Sequence, residues 1–157
     1  MATLSTINSI SARLTSSPLG CYSASKFALE AVSEALAQEV KPFNIRVGII
    51  ELGIIDTDMA HAIEEESPSI YPSSKRMTDL FFAALKNPTP ATLVVDAVVE
   101  FASGDSWILR HLVGPDALSF LQWRMSMTDE QWTDRNSLPD EEWYHAVEQE
   151  FGMNARR

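Results

Sequence analysis

Glycine is scarce in this 157-residue chain. The six glycines stand at 20, 48, 53, 104, 114 and 152, and no G-x-x-x-G-x-G or G-x-G-x-x-G pattern occurs among them. The glycine-rich turn that lets a backbone approach a pyrophosphate at a helix N-terminus is therefore missing. Cysteine is scarcer still: Cys21 alone rules out an internal disulfide and fits a reducing compartment. Basic residues are outnumbered, with 12 Lys and Arg against 22 Asp and Glu, a net charge of −10. That balance argues against nucleic acid and anionic membrane as partners, because both need a basic patch. It also disfavours a strongly anionic substrate. No apolar run approaches the ~18 residues of a membrane span. No basic stretch leading into an apolar core opens the chain, so a secretory signal is not expected and the cytoplasm is. What remains is an ordinary globular composition, 45% apolar and 22% charged, long enough for one domain with a core.

Hydrophobic patterning gives the order of elements. Residues 3–10 read as a short strand ending near Ser9, and 11–20, with a Pro, a Gly and several hydroxyls, as a loop. A helix is expected from about Ser23 to Val40, with Ala24, Phe27, Ala28, Ala31 and Ala35 as its apolar stripe. Residues 45–52 are a nearly continuous apolar run of strand length. That is the mark of a strand covered on both faces, hence of a parallel sheet. An irregular stretch follows, with the acidic run Glu64-Glu65-Glu66. Ser73–Lys86 read as a helix with Met77, Leu80, Phe81, Ala84 and Leu85 on one face. A further helix is capped by Thr89, with Pro90 at its first position, and runs to Ser103 with Val94, Ala97, Val98 and Phe101 inward. Trp107–Val113 read as a third strand. Strand–helix–strand–helices–strand is an α/β arrangement.

The last forty residues differ. Helices are expected over 116–126, after the capping-box spacing Thr128–Gln131, and after Pro139. From Thr128 to Phe151 there are eight acids and one Arg. The chain therefore divides into an α/β part, 1–116, and an acidic helical C-terminal extension, 117–157.

The stretch that carries chemistry is Gly20-Cys21-Tyr22-Ser23-Ala24-Ser25-Lys26. Four residues apart on a helix, Tyr22 and Lys26 share one face. A phenol ionises near about 10 in isolation, and a neighbouring cation favours the ionised form, which suits proton transfer. The spacing alone names nothing, because Tyr71-Pro72-Ser73-Ser74-Lys75 has it too. Pro72 breaks the local helix there, no buried strand leads into it, and the residue thirteen positions before Tyr71 is Asp58. His61, His111 and His145 lack metal-ligand spacing. Cys21 lacks a partner for nucleophilic chemistry. Trp123, Trp132 and Trp143 read as core anchors.

With Asn8-Ser9 at a strand end, Tyr22-Ser23-Ala24-Ser25-Lys26-Phe27-Ala28-Leu29-Glu30 and Glu51-Leu52-Gly53-Ile54-Ile55-Asp56-Thr57-Asp58, the sequence resembles the short-chain dehydrogenase/reductase family. The match is collinear from about residue 4 to residue 116 and corresponds to the C-terminal half of a usual member. The resemblance implies the C-terminal part of a Rossmann-type doubly wound parallel sheet, about three parallel strands with flanking helices. It implies alcohol/carbonyl interconversion by hydride transfer with NAD or NADP. Tyr22 would be the general acid or base, Lys26 would support it and hold the nicotinamide ribose, and Ser9 would bind the substrate oxygen. Gly53, Ile55 and Thr57 would meet the nicotinamide carboxamide. Leu52 stands where the family usually has Pro before that glycine.

The glycine-rich opening half, the residue that selects NAD or NADP and the family's Asn from an earlier helix have no counterparts here. Cofactor binding by this chain alone is expected to be weak or absent. The first strand would be a bare edge, so the chain is expected to be a truncated product or to cover that edge by oligomerising. A homo-oligomer acting on a small carbonyl or alcohol substrate is the leading expectation. A cofactor-free isomerase, cyclase or dehydratase using Tyr22 and Lys26, or an inactive interaction module, are the alternatives.

Overall fold

The structure, a computed structural model, describes residues 2–63 and 69–157. The acidic run Glu64–Glu66 and the expectation attached to it lie outside those residues. Three parallel strands, β1 (Ala2–Ser9), β2 (Ile45–Leu52) and β3 (Arg110–Val113), form a sheet in the order β1-β2-β3. The central place of β2 explains its apolar run: Arg46 through Glu51 are all buried. Helix α1 (Gly20–Val40) connects β1 to β2. The short α2 (Asp58–His61), α3 (Pro72–Ala84) and α4 (Thr92–Ser103) connect β2 to β3. This is the α/β arrangement expected from the sequence, with flanking helices and a Rossmann-like parallel sheet.

Helix α4 covers one face as its pattern predicts. Val94, Ala97 and Val98 pack against Ile50, Ile55 and Val113. Phe101 is buried over Gly48, where an added Cβ would lie 2.6 Å from the ring. Glycine is needed there to let the ring approach the strand.

The other face overturns an expectation. The stripe Ala24, Phe27, Ala28, Ala31 and Ala35 of α1 points outward, and Phe27 is 45% exposed. The buried residues of α1 are Ser23, Glu30 and Ser33. The sheet beneath is polar, so the helix meets it with polar groups. Ser33 Oγ donates to Thr6 Oγ1 at 3.0 Å, and Glu30 accepts from Asn8 and Arg110. Helical periodicity shows which face is apolar, and here that is not the face turned to the sheet.

Smaller differences have local causes. α1 begins at Gly20, so Tyr22 lies in its first turn. Thr89 is no helix cap. It forms a bridge with Ile55, and α4 starts three residues later. Pro72 does not break a helix but opens α3, where its missing N–H costs nothing. β3 starts at Arg110, and Trp107 is exposed.

The C-terminal residues form α5 (Pro115–Met125), α6 (Asp129–Asn136) and α7 (Asp140–Phe151). The expected capping box is present: Thr128 Oγ1 accepts from Gln131 N, and the Gln131 side chain accepts from Thr128 N. Ala117, Leu121, Trp143 and Val147 share one core cluster with Ile10, Leu80 and Ala83. Polar contacts, one of them buried, tie α3 to α7. Arg76 donates to Asp140 at 2.6 Å and Tyr144 Oη to Asp79 at 2.5 Å, and within α3 itself Lys75 Nζ also donates to Asp79. Trp132 and Trp143 are buried, and Trp123 packs edge-on against Trp132.

Candidate active site

Parallel strands in register end together. Ser9 pairs with Leu52, and Leu52 with Val113, so β1, β2 and β3 finish at one edge of the sheet. Ligands of open α/β sheets bind outside the carboxyl ends of the strands. The segments that leave this edge hold the residues singled out in the sequence.

Ser9 closes β1 and caps the 3-10 turn Ile10–Ala12, its Oγ accepting from Ser11 N at 3.2 Å. Tyr22 and Lys26 lie in the first turns of α1, both half-buried. The Lys26 ammonium sits 5.6 Å from the centre of the Tyr22 ring. Among the described residues Lys26 makes no ion pair, so its charge is held by no carboxylate. The decoy pair differs. Tyr71 lies outside α3 and is exposed, and the Lys75 ammonium is bound to Asp79.

The placement of α1 rests on residues that motif spacing did not single out for a role. Asn8 precedes Ser9 and is almost fully buried. Its Nδ2 donates to Glu30 Oε2 at 2.8 Å and to the backbone carbonyl of Lys26 at 3.3 Å. Glu30 Oε1 accepts from Arg110 Nε of β3 at 2.8 Å, and Arg110 also pairs with Glu34. One residue before the catalytic candidate on β1, an amide thus fixes the turn of helix that carries Lys26. The signal available in the sequence was Glu30, an acid beside the apolar stripe one turn after Lys26. Glu51, fully buried on β2, is paired with Arg13 at 3.2 Å. Burial pushes its carboxyl above the usual carboxylate range, against the pull of the Arg13 guanidinium. This pair links the turn after Ser9 to the end of β2.

The loop after β2 is closely tied down. Gly53 N donates to Val113 O at 2.9 Å and Ile54 N to Asp116 Oδ2 at 2.8 Å. Ile55 is buried and bridges to Thr89, with Asp56 N donating to Thr89 O at 2.9 Å. Thr57 Oγ1 caps α2 by accepting from Ala60 N at 3.3 Å. Its own proton faces Ile55 O at 3.5 Å, the limit of a hydrogen bond. Burial raises the Asp116 carboxyl above its ordinary range, and neighbouring backbone N–H groups counteract this in part.

Other candidates stay apart. No cluster of three or more His, Cys, Asp or Glu suited to a metal is found among the described residues. His61 pairs with Asp56, and His111 packs against the Phe101 ring. Cys21 is exposed.

Comparison with known proteins bears on this geometry. A family model described as short chain dehydrogenase matches residues 3–68, the span that holds Ser9, Tyr22, Lys26 and the Gly53–Thr57 loop. A probable short-chain type dehydrogenase/reductase of Helicobacter pylori is 33% identical over 112 residues, 69% of this chain and 41% of that protein. The crystal structure of a short-chain dehydrogenase from Streptomyces avermitilis superposes with a TM-score of 0.66 at 27% identity, covering 84% of this chain and 49% of the other. A short chain dehydrogenase from Burkholderia cenocepacia, solved in complex with NADP, has the same fold at 22% identity and a TM-score of 0.60, covering 87% and 48%. The chain spans about half the length of the curated relatives it matches. No helix among the described residues is long and apolar enough to cross a membrane. By its sheet, its collinear motif residues and these relatives, the chain belongs to the short-chain dehydrogenase/reductase family of oxidoreductases.

Proposed function

We propose that this chain carries the proton-transfer half of an NAD(P)-dependent alcohol/carbonyl oxidoreductase, with Tyr22 as general acid in reduction and general base in oxidation. The observation that carries this reading is the common edge at which β1 and β2 end. Ser9 stands there, the Tyr22–Lys26 turn of α1 lies half-buried with an unpaired ammonium beside the phenol, and the Gly53–Thr57 loop leaves the same edge. A phenol must release and regain a proton, and an ammonium over its ring is placed to accompany that transfer. The Ser9 hydroxyl, used at present only as an acceptor, keeps its proton for a substrate oxygen.

A nicotinamide cofactor, when bound, supplies or receives the hydride at the adjacent carbon. The loop residues fit such a group. The Thr57 proton is spent on a bond at the limit of length, which a carboxamide oxygen would displace. Among the described residues the Lys26 ammonium makes no ion pair, which leaves it able to meet a ribose hydroxyl. NADP is the ligand of the Burkholderia cenocepacia relative, and NAD or NADP is the cofactor proposed here.

A second copy of the chain is the proposed partner, docked on the outward apolar stripe of α1. Fluorescence titration with reduced nicotinamide cofactor at millimolar levels tests the functional reading. Absence of binding refutes it for this chain. Turnover that needs no nicotinamide and is abolished by Tyr22→Phe would assign the pair to cofactor-free proton transfer instead.

A further inference from the structure

Asp116 is the second residue of α5, just beyond the end of β3, and no motif in the sequence points to it. Its carboxylate lies between two glycines. A Cβ at Gly53 would sit 2.3 Å from Asp116 Oδ1, and one at Gly114 2.7 Å from the same oxygen. Gly114 has φ +105°, so it needs glycine for its backbone as well as for the space. Gly53 has no such conformation, and the three atoms nearest a Cβ there all belong to the Asp116 carboxylate. Oδ2 accepts the Ile54 N–H at 2.8 Å, while Oδ1 is buried without a hydrogen-bond partner. An acid held in this way, with one oxygen unsatisfied, is costly unless the geometry it enforces is used.

We infer that Asp116 is a positioning residue for the loop 53–57: its carboxylate, set by the start of α5, fixes the Ile54 amide and so aims Ile55 and Thr57 at the nicotinamide. The inference rests on the preceding reading that this loop faces the cofactor. It explains why two glycines from different strand ends meet one acid. The two strand ends close on each other, Gly53 N donating to Val113 O. The carboxylate is the third point that stops the loop rotating about that bond. Further along, the loop is tied to Thr89 at Ile55 and Asp56 and to the cap of α2 at Thr57, while the Ile54 N–H is held by Asp116.

The test uses the full chain with Asp116→Ala, Asp116→Asn, Gly53→Ala and the double variant Gly53→Ala/Asp116→Ala. Two quantities are read: hydrogen exchange of the Ile54 amide by NMR, and the dissociation constant for reduced nicotinamide cofactor. Asp116→Ala is expected to speed Ile54 exchange about tenfold or more and to weaken the cofactor by a similar factor, from the loss of one charge-assisted hydrogen bond. Asp116→Asn keeps an acceptor for Ile54 N–H and is expected to stay within about threefold of the parent in both. Gly53→Ala is expected to weaken the cofactor about tenfold or more, and adding Asp116→Ala is expected to bring no further loss, because the clash is gone. Unchanged Ile54 exchange in Asp116→Ala, or Asp116→Asn as damaging as Asp116→Ala, overturns the inference. So does additive loss in the double variant. Should Asp116→Ala fail to fold, Asp116→Asn speeding Ile54 exchange about tenfold or more, or Gly53→Ala leaving cofactor affinity unchanged, overturns the inference. If the unsubstituted chain binds no cofactor, the functional reading fails, and Ile54 exchange still decides whether Asp116 holds the loop.

Discussion

Glu30→Ala is expected to be the most revealing single change to the scaffold of the site. The carboxylate is buried between α1 and the sheet, and both oxygens are engaged. Removing it strands the Asn8 amide, whose Oδ1 already lacks a partner and whose remaining bond, to Lys26 O, is long at 3.3 Å. Arg110 loses one of two partners but is one-third exposed and keeps Glu34, so its share of the loss is discounted. Losing a charge-assisted hydrogen bond and leaving a buried amide unpaired together come to about 2–4 kcal/mol. Against a typical stability of about 5–15 kcal/mol this is a large fraction. Urea denaturation with an m-value of about 2 kcal/mol/M would move the midpoint down by about 1–2 M. Glu34→Ala is the internal control. It removes the half-exposed partner of the same arginine and is expected to cost about 0–1 kcal/mol. Equal midpoint shifts for the two variants, or a shift below about 0.3 M for Glu30→Ala, would refute the claim that α1 hangs on Asn8 and Arg110 through Glu30.

Glu51 gives a pH signature. Its folded-state pKa is raised by burial, so its contribution to stability is complete below its unfolded value and is lost as pH rises through its folded value. Arg13, Glu30 and Arg110 are the charged groups acting on it, and melting temperatures should favour the parent over Glu51→Gln progressively more as pH falls toward the ordinary carboxylate range; a pH-independent difference would show that the carboxyl is not perturbed. Gly48→Ala places a Cβ 2.6 Å from the Phe101 ring and is expected to cost about 1–3 kcal/mol, lowering the melting temperature by about 3–10 °C. An unchanged melting temperature would mean the ring yields freely. Val32, 64% exposed, and Phe27 lie on the outer side of α1, so Phe27→Glu combined with Val32→Glu should convert a homo-oligomer to monomer in analytical ultracentrifugation. A parent chain that is already monomeric refutes the docking proposal.

Much of the fold is legible in the chain. The run 45–52 became the central strand because only a doubly covered strand carries so few polar residues at its centre, and Ile45–Leu52 matches that reading residue for residue. The capping box at Thr128 and the C-terminal stop at Gly104 are local chemistry, and local chemistry is what spacing records. The placement of Ser9 at a strand end and of Tyr22 and Lys26 in the first turns of the next helix is legible for a different reason. The covalent distance between a strand end and the following helix start is fixed by one short loop. Asp116 and Arg110 are not legible, since their partners Ile54 and Glu30 are 62 and 80 residues away in the chain. No local rule links them.

Helix α1 shows where periodicity misleads and why that matters for the site. An alanine-rich stripe is ordinarily the core face of a surface helix. Here the sheet offers α1 an amide, a guanidinium and a hydroxyl, from Asn8, Arg110 and Thr6. Glu30 meets the amide and the guanidinium and Ser33 the hydroxyl, so the helix turns its polar side inward. The orientation of Tyr22 and Lys26 follows from this choice. An apolar stripe turned to the sheet would rotate the helix about its axis and carry both residues away from the end of β1. The buried polar contacts thus select which way the Tyr22–Lys26 turn faces, and the apolar stripe they displace is left on the surface. One rotation of α1 accounts for both the candidate site and the candidate interface. A helix re-registered by Glu30→Ala would therefore disturb both at once.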